Sequence, residues 1–361
     1  MKLFAIAGED SGDLHAGNLL KALHTKDPQL EVRGVGGDCM AEAGMMLLAH
    51  VRDINFMGFV EVVSNLSTIR QLFRKVEADI QEFQPDAVLL VDYPGFNLRI
   101  AKFIKKLGIP VVFYISPQVW AWKKNRVKTI KEFTDRMMVI LPFEKEFYQK
   151  EGLEVDFVGH PLLDVIQEPE VQKSDKKSVI ALLPGSRKQE ISRMLPDMLQ
   201  LIPQFPDHRF VIAGAPSRVK SFYEGFTTGY EVEIWMNKTY ELLSMADYAV
   251  VTSGTATLET ALFKVPEVVV YKGSPISYAI GKRLVQVNFI SLVNLILGRK
   301  AVEELIQHDY TAKQTEGAIR KLMEADHAER LKLDYDELWE KLGREGASER
   351  AAAIVWEEMN K

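Results

Sequence analysis

Short, continuously apolar runs alternate with longer amphipathic stretches through the first half of the chain. Residues 3–7, 87–91, 111–115, 137–141 and 155–158 are apolar and β-rich, and helical spacing fills 13–23, 69–83, 98–107, 125–133 and 144–151. A strand with no polar alternation is buried on both faces, which predicts a parallel sheet covered by helices on each side. The polar segment 166–177, IQEPEVQKSDKK, reads as a linker. The pattern then restarts, with apolar runs at 179–183, 210–213, 231–235, 248–251 and 268–271 and a helix expected over 196–202, opening on Pro196. Two Rossmann-like, doubly wound α/β domains follow, with ligands at the carboxyl ends of their strands in a deep cleft between the domains. Their expected spans are 1–165 and 166–335. The sequence is charged and helical from Ala312, with Trp339 and Trp356 as packing anchors. Residues 336–361 form a tail that packs back on the first domain or on a partner subunit.

Length agrees with this division, because 361 residues exceed one ordinary core. A net charge of −5 and the lack of a Lys/Arg-rich tract exclude nucleic-acid binding as the main task. Cys39 is the single cysteine, so no intrachain disulfide forms and a reducing, cytoplasmic location is expected. The opening MKLFAIAGEDSGD is a strand followed by acids rather than a signal peptide. No stretch approaches the roughly 20 apolar residues of a membrane span.

Two loops in the second half carry the strongest chemical signal. SVIALLPGSR and VVTSGTATLE each run from an apolar strand through a small-residue turn into a helix, which presents backbone N–H groups where a diphosphate is best held. Gly185, Ser186 and Arg187 form the first turn; Ser253, Gly254 and Thr255 form the second. Arg187 bridges two phosphates of a leaving group or is a plain surface arginine. Glu259 suits ribose hydroxyls or the dipole of its own helix.

The first half carries acids instead. GEDSGD follows the first strand and is not a dinucleotide fingerprint, since its acids repel pyrophosphate. It is a turn capped by Ser11, or else Glu9 or Asp10 binds sugar hydroxyls. His15 is a packing residue or a ligand contact. Asp92 ends the buried run AVLLV, where desolvation raises a carboxyl pKa and suits it to take a proton from an alcohol; the alternative is a helix cap, a task Asn97 also suits. Trp120 and Trp122, in SPQVWAWKK, stack on sugars or acyl chains or fill the core. Lys123, Lys124, Arg126 and Lys128 form a basic cluster that is a solvated face or meets an anionic lipid. A nucleotide side and an acceptor side together suit glycosyl transfer better than hydride transfer.

Asp334 and Asp336 match the D-x-D of metal-dependent glycosyltransferases but lie in the helical KLDYDELWEKL, so no metal is expected there, and no His/Cys grouping offers a zinc site. Two apolar stretches, 54–72 and 278–297, suit the core or a bilayer surface; part of the first is expected as an exposed patch.

Taken in order, AGEDSGDLHAGNL, VGGDCMAEAG, MGFVEV, VDYPGFNL, ISPQVWAWKKNRVKTI, LPFEKEFY, FVGHPLLD, LLPGSRKQEI, SGTATLETAL and KRLVQVNFISLVNLILGRKAVEELIQ resemble the lipid-A-disaccharide synthases, GT-B-fold glycosyltransferases of Gram-negative bacteria. The resemblance covers nearly the whole chain. It implies joining of UDP-2,3-diacylglucosamine to 2,3-diacylglucosamine 1-phosphate (lipid X), with inversion, UDP release and no cofactor or metal. It also implies a peripheral enzyme on the cytoplasmic face of the inner membrane, with a homodimer as one possible state. Glu9 and Asp92 match important acids of the family, either of which is the base; Arg187 and Asn294 match its nucleotide side. Ser11, His15, Asn97 and Trp120 are the candidates for acceptor contact. Asp10 replaces a small residue of the family and Val293 a proline, which bear on the acidity around Glu9 and on the loop of Asn294. The rival functions are a non-hydrolysing UDP-N-acetylglucosamine 2-epimerase and a non-catalytic lipid-binding protein.

Overall fold

A computed structural model describes residues 1–54, 66–122, 126–166, 177–274 and 287–361. It divides into two compact units, Met1–Asp164 with Leu342–Lys361, and Val165–Lys341.

Unit 1 is built on seven parallel strands: β1 (Lys2–Ala7), β2 (Glu31–Gly36), β3 (Met46–His50), β4 (Ala87–Val91), β5 (Val111–Tyr114), β6 (Arg136–Val139) and β7 (Asp156–Phe157). Their order is β3-β2-β1-β4-β5-β6-β7. Side chains alternate between two buried cores. Phe4, Ile6, Val88 and Leu90 face one, and Leu3, Ala5, Ala87, Leu89 and Val91 the other. Helices α1 (Asp10–Lys26), α2 (Asp38–Glu42), α3 (Val51–Ile54), α4 (Leu66–Phe83), α5 (Pro94–Lys106), α6 (Val119–Trp122), α7 (Arg126–Phe133) and α8 (Pro142–Lys150) lie between the strands in sequence. The order reverses between β1 and β4, the position at which a doubly wound sheet opens a crevice.

Unit 2 repeats the plan with six parallel strands, β8 (Val179–Leu183), β9 (Arg209–Gly214), β10 (Glu233–Met236), β11 (Tyr248–Thr252), β12 (Glu267–Tyr271) and β13 (Glu303–Ile306). The order β10-β9-β8-β11-β12-β13 reverses between β8 and β11. The helices are α9 (Lys188–Leu199), α10 (Lys220–Thr227), α11 (Thr239–Leu243), α12 (Thr255–Leu262), α13 (Leu292–Leu297), α14 (Ala312–Leu322) and α15 (Ala325–Leu342). The helix expected to open at Pro196 instead begins at Lys188 and carries Pro196 inside it. Proline removes one N–H bond, here to the carbonyl of Ser192, an exposed residue on the outer face of the helix. Trp339 anchors α15 within unit 2, its indole N–H donating to Leu262 O at 3.3 Å.

Only the last helix, α16 (Ala347–Met359), returns to unit 1, so the tail begins at Leu342 rather than at residue 336. Ala351, Ala352, Val355 and Met359 pack with Leu19, Leu20 and Leu23 of α1, and Trp356 packs against the same core. The Asp164 carboxylate accepts the N–H groups of Gly346 (2.7 Å), Ala347 (3.0 Å) and Ser348 (2.8 Å) at the start of α16, where an anion meets the positive helix end.

Beneath this junction His15 and His160 are buried, and burial lowers their pKa values to about 4 and about 3. Below pH 6.5 the unfolded chain therefore takes up protons that the folded histidines refuse. His15 alone removes about 2 kcal/mol of stability between pH 7.5 and pH 5. Buried acids such as Asp92 and Glu144, whose pKa values are raised to about 7, act in the opposite sense over that range. Denaturant titrations of the wild type and His15→Asn at the two pH values separate these contributions. The variant should lose about 2 kcal/mol less on acidification; equal losses would remove His15 as the cause.

The expected linker lies almost wholly outside the described residues, as do most of the 54–72 stretch, residues 278–286 and the cluster members Lys123 and Lys124. No helix among the described residues is long and apolar enough to cross a membrane.

Candidate active site

In unit 1 the chain leaves β1 at Gly8 and β4 at Asp92, from adjacent strands paired up to Ala7 and Val91. The two loops touch: a Cβ on Gly8 would clash with the Tyr93 ring. Asp92 and Tyr93 have φ of 44° and 45°, left-handed values that cost energy in residues other than glycine. They are held by Asp92 N–H donating to Tyr114 O (2.9 Å) and by the Asn97 amide donating to Asp92 O (2.8 Å) and Val91 O (3.2 Å). Burial chiefly, and then the charge of Glu9, push the Asp92 carboxyl up to about 7, with a backbone N–H bond at Tyr93 opposing.

The alternative tasks proposed for these acids are taken elsewhere. Helix α5 opens at Pro94 with Tyr93 at its cap position, so Asp92 is not the cap. Helix α1 opens at Asp10, with Glu9 at the cap position and no side-chain cap bond; Ser11 is exposed inside the helix rather than capping it. Two candidates for acceptor contact are buried. Asn97 is fully buried and ties the ends of β4 and Asp92 together. His15 lies in the core beside Asp164 and His160. Both positions are dictated by the inward face of their helices, which motif spacing does not reveal.

Unit 2 places its two loops on adjacent strands as well, with Leu183 of β8 in register with Val251 of β11. Gly185 has φ of 101°, and a Cβ there would come within 2.9 Å of the Glu190 carboxylate, so the turn requires glycine. Ser186 is exposed. The Arg187 side chain is 56% exposed and held by Glu190 at 3.2 Å. Gly254 sits at the start of α12, with Thr255 exposed beside it, and Ser253 Oγ donates to Ile290 O at 2.9 Å. The first N–H groups of such a helix have no partner within it and are available to an anion. Glu259 lies on the same helix and accepts the Tyr240 hydroxyl at 2.9 Å; burial raises its pKa.

Asn294 departs from the expectation of direct nucleotide contact. It is fully buried, donating to Val302 O (2.9 Å) and Glu304 Oε1 (2.8 Å) and accepting from Ala301 N (2.7 Å) and Val302 N (3.0 Å). All four of its hydrogen-bonding positions are thereby used within the fold. Asp334 and Asp336 pair with Arg299 (2.6 Å) and Lys264 (2.8 Å). Among the described residues no cluster of three His, Cys, Asp or Glu is placed to hold a metal ion.

Sequence reasoning missed Tyr240 and Glu144. The L-P-F-E run signals a helix start, but not that its glutamate reaches the neighbouring loop, where it accepts the Trp120 indole N–H at 3.1 Å.

Two doubly wound parallel sheets, each with its candidate loops where the strand order reverses, define the GT-B fold. The solved glycotransferase of kitacinnamycin has a similar fold, with a TM-score of 0.65 at 15% identity over 99% of this chain and 98% of that one. A family profile described as lipid-A-disaccharide synthetase matches residues 3–357. The lipid-A-disaccharide synthase of Geobacter sulfurreducens is 38% identical, over 100% of this chain and 98% of the relative. That of Syntrophus aciditrophicus is 40% identical, over 97% and 96%. The chain belongs to the lipid-A-disaccharide synthase family, and it is a glycosyltransferase enzyme. Full-length membership sets aside the epimerase and lipid-receptor readings.

Proposed function

We propose that the chain condenses UDP-2,3-diacylglucosamine with lipid X in a single inverting displacement, forming lipid A disaccharide 1-phosphate and UDP. The observation that carries the chemistry is Asp92, a desolvated carboxyl raised to about 7 beside Glu9. A group of that pKa is half deprotonated near neutrality and takes the proton of the attacking 6-hydroxyl. Arg187 and the start of α12 receive the charge that develops on the departing diphosphate. Ser186, Ser253, Thr255 and Glu259 complete the donor side, and Ser11 and Trp120 the acceptor side. No resident cofactor or metal takes part. Because both substrates carry acyl chains, the enzyme works on the cytoplasmic face of the inner membrane, and a homodimer is its proposed assembly.

The test is UDP release by the purified chain. Release should require both acylated sugars and persist in EDTA. Release from the UDP-sugar alone at the same rate, or loss of activity in EDTA that added divalent cation restores, would overturn the corresponding part.

A further inference from the structure

Strands β4, β5 and β6 are consecutive neighbours, so the loops after them leave the same sheet edge side by side. The loop after β5 starts in strain: Ile115, a β-branched residue, has φ of 63°. Helix α8, which follows β6, grips this loop at three points. Tyr148 OH and Ser116 Oγ are 2.6 Å apart. The Phe143 ring meets Trp120 edge-on at 4.9 Å between centroids. Glu144 is buried to 1% exposure, yet Oε1 accepts the Trp120 indole N–H, while Oε2 accepts Leu141 N–H (2.9 Å) and Ile140 N–H (3.3 Å). A cap for α8 needs only the last two bonds. The bond to Trp120 adds nothing to the helix but fixes the plane of a half-buried aromatic ring.

We infer that Glu144 is a positioning residue that locks Trp120 as a preformed aromatic wall for the acylated glucosamine acceptor. This rests on the proposal that unit 1 receives the acceptor. A locked indole offers its face to sugar C–H groups or to the first methylenes of an acyl chain without losing rotamer freedom on binding. Asp92 takes part electrostatically: burial first, and the Asp92 charge among the lesser causes, raise the Glu144 carboxyl to about 7.

The experiment compares E144Q, W120F and the double variant in steady state, varying each substrate in turn. Glutamine keeps one oxygen for the backbone N–H groups of α8 and turns a donor toward the indole N–H, so the cap survives and the bond to Trp120 is lost. Phenylalanine leaves the two backbone cap bonds of α8 in place and removes the indole N–H, so W120F reads the same contact from its other partner. Each single change should raise the acceptor KM about tenfold, the size of one charge-assisted hydrogen bond. The donor KM should stay within about twofold, and the double variant should be no worse than the poorer single one. Multiplying effects, or an unchanged acceptor KM in both folded variants, would overturn the positioning role. A rise in donor KM alone would instead overturn the placement of the acceptor on unit 1.

Discussion

Asp92→Asn is expected to lower kcat by about three orders of magnitude while leaving UDP affinity within about twofold. The amide preserves the shape of the loop, including the N–H bond to Tyr114 O and the Asn97 bond, both of which involve only the backbone of residue 92. What it removes is the proposed acceptor of the alcohol proton. The folded state should not suffer, because a carboxyl raised to about 7 is one that the fold disfavours in its charged form. Removing the charge is neutral or stabilising. A thermal melt at pH 8 therefore separates loss of chemistry from loss of structure. In the wild type, kcat should rise with pH through about 7 as Asp92 loses its proton. Glu9 contributes to that elevation, so Glu9→Gln should move the rise to lower pH if Asp92 is the base. Near-normal turnover in Asp92→Asn, with collapse in Glu9→Gln, would transfer the role to Glu9.

Arg187→Ala should reduce kcat/KM for the donor about a hundredfold, the usual consequence of removing one charged group from a developing anion. The guanidinium is largely exposed and, among the described residues, tethered through Glu190, so its loss leaves no buried partner stranded there and the fold should be unaffected. Arg187→Lys should recover only part of the activity, since an ammonium cannot present two parallel N–H groups to two phosphate oxygens. UDP binding followed by calorimetry should weaken in the same order, alanine more than lysine. Unchanged UDP affinity in the alanine variant would remove Arg187 from the diphosphate site.

The central strands were legible because burial on both faces forces an uninterrupted apolar run: 87–91 is β4 and 179–183 is β8. Strands β2, β3 and β13 escaped notice. In β2, EVRGVG, Arg33 breaks the run, and it is tolerated because its guanidinium lies 4.6 Å from the centre of the Phe83 ring and pairs with Asp79. Strands β3, MLLAH, and β13, EELI, are sheet edges and only partly buried; β13 opens on two glutamates, and β3 is a short apolar run that ends in a histidine. The site shows the same division. Glu9, Asp92, Arg187 and Ser253 lie within four residues of the ends of apolar runs, and chain order alone puts them beyond the carboxyl ends of strands. Whether a polar side chain turns inward depends on which helix face packs, and spacing could not show that Asn97, His15 and Asn294 are buried. Glu144 was hidden for the opposite reason: its local role as a helix cap is complete in itself, and the bond to Trp120 arises only when β5 and β6 lie side by side.

Unit 2 is inserted between Asp164 and Leu342 of unit 1, which orders events during synthesis. The nascent first sheet must wait for α16 while the whole of unit 2 is translated. At about 5–20 residues per second that interval is on the order of ten seconds or more. Meanwhile Leu19, Leu20 and Leu23 lack the helix that covers them in the finished fold. The inserted unit, contiguous in sequence, needs no later segment to complete its own core. The half-made outer one is the state a chaperone would meet.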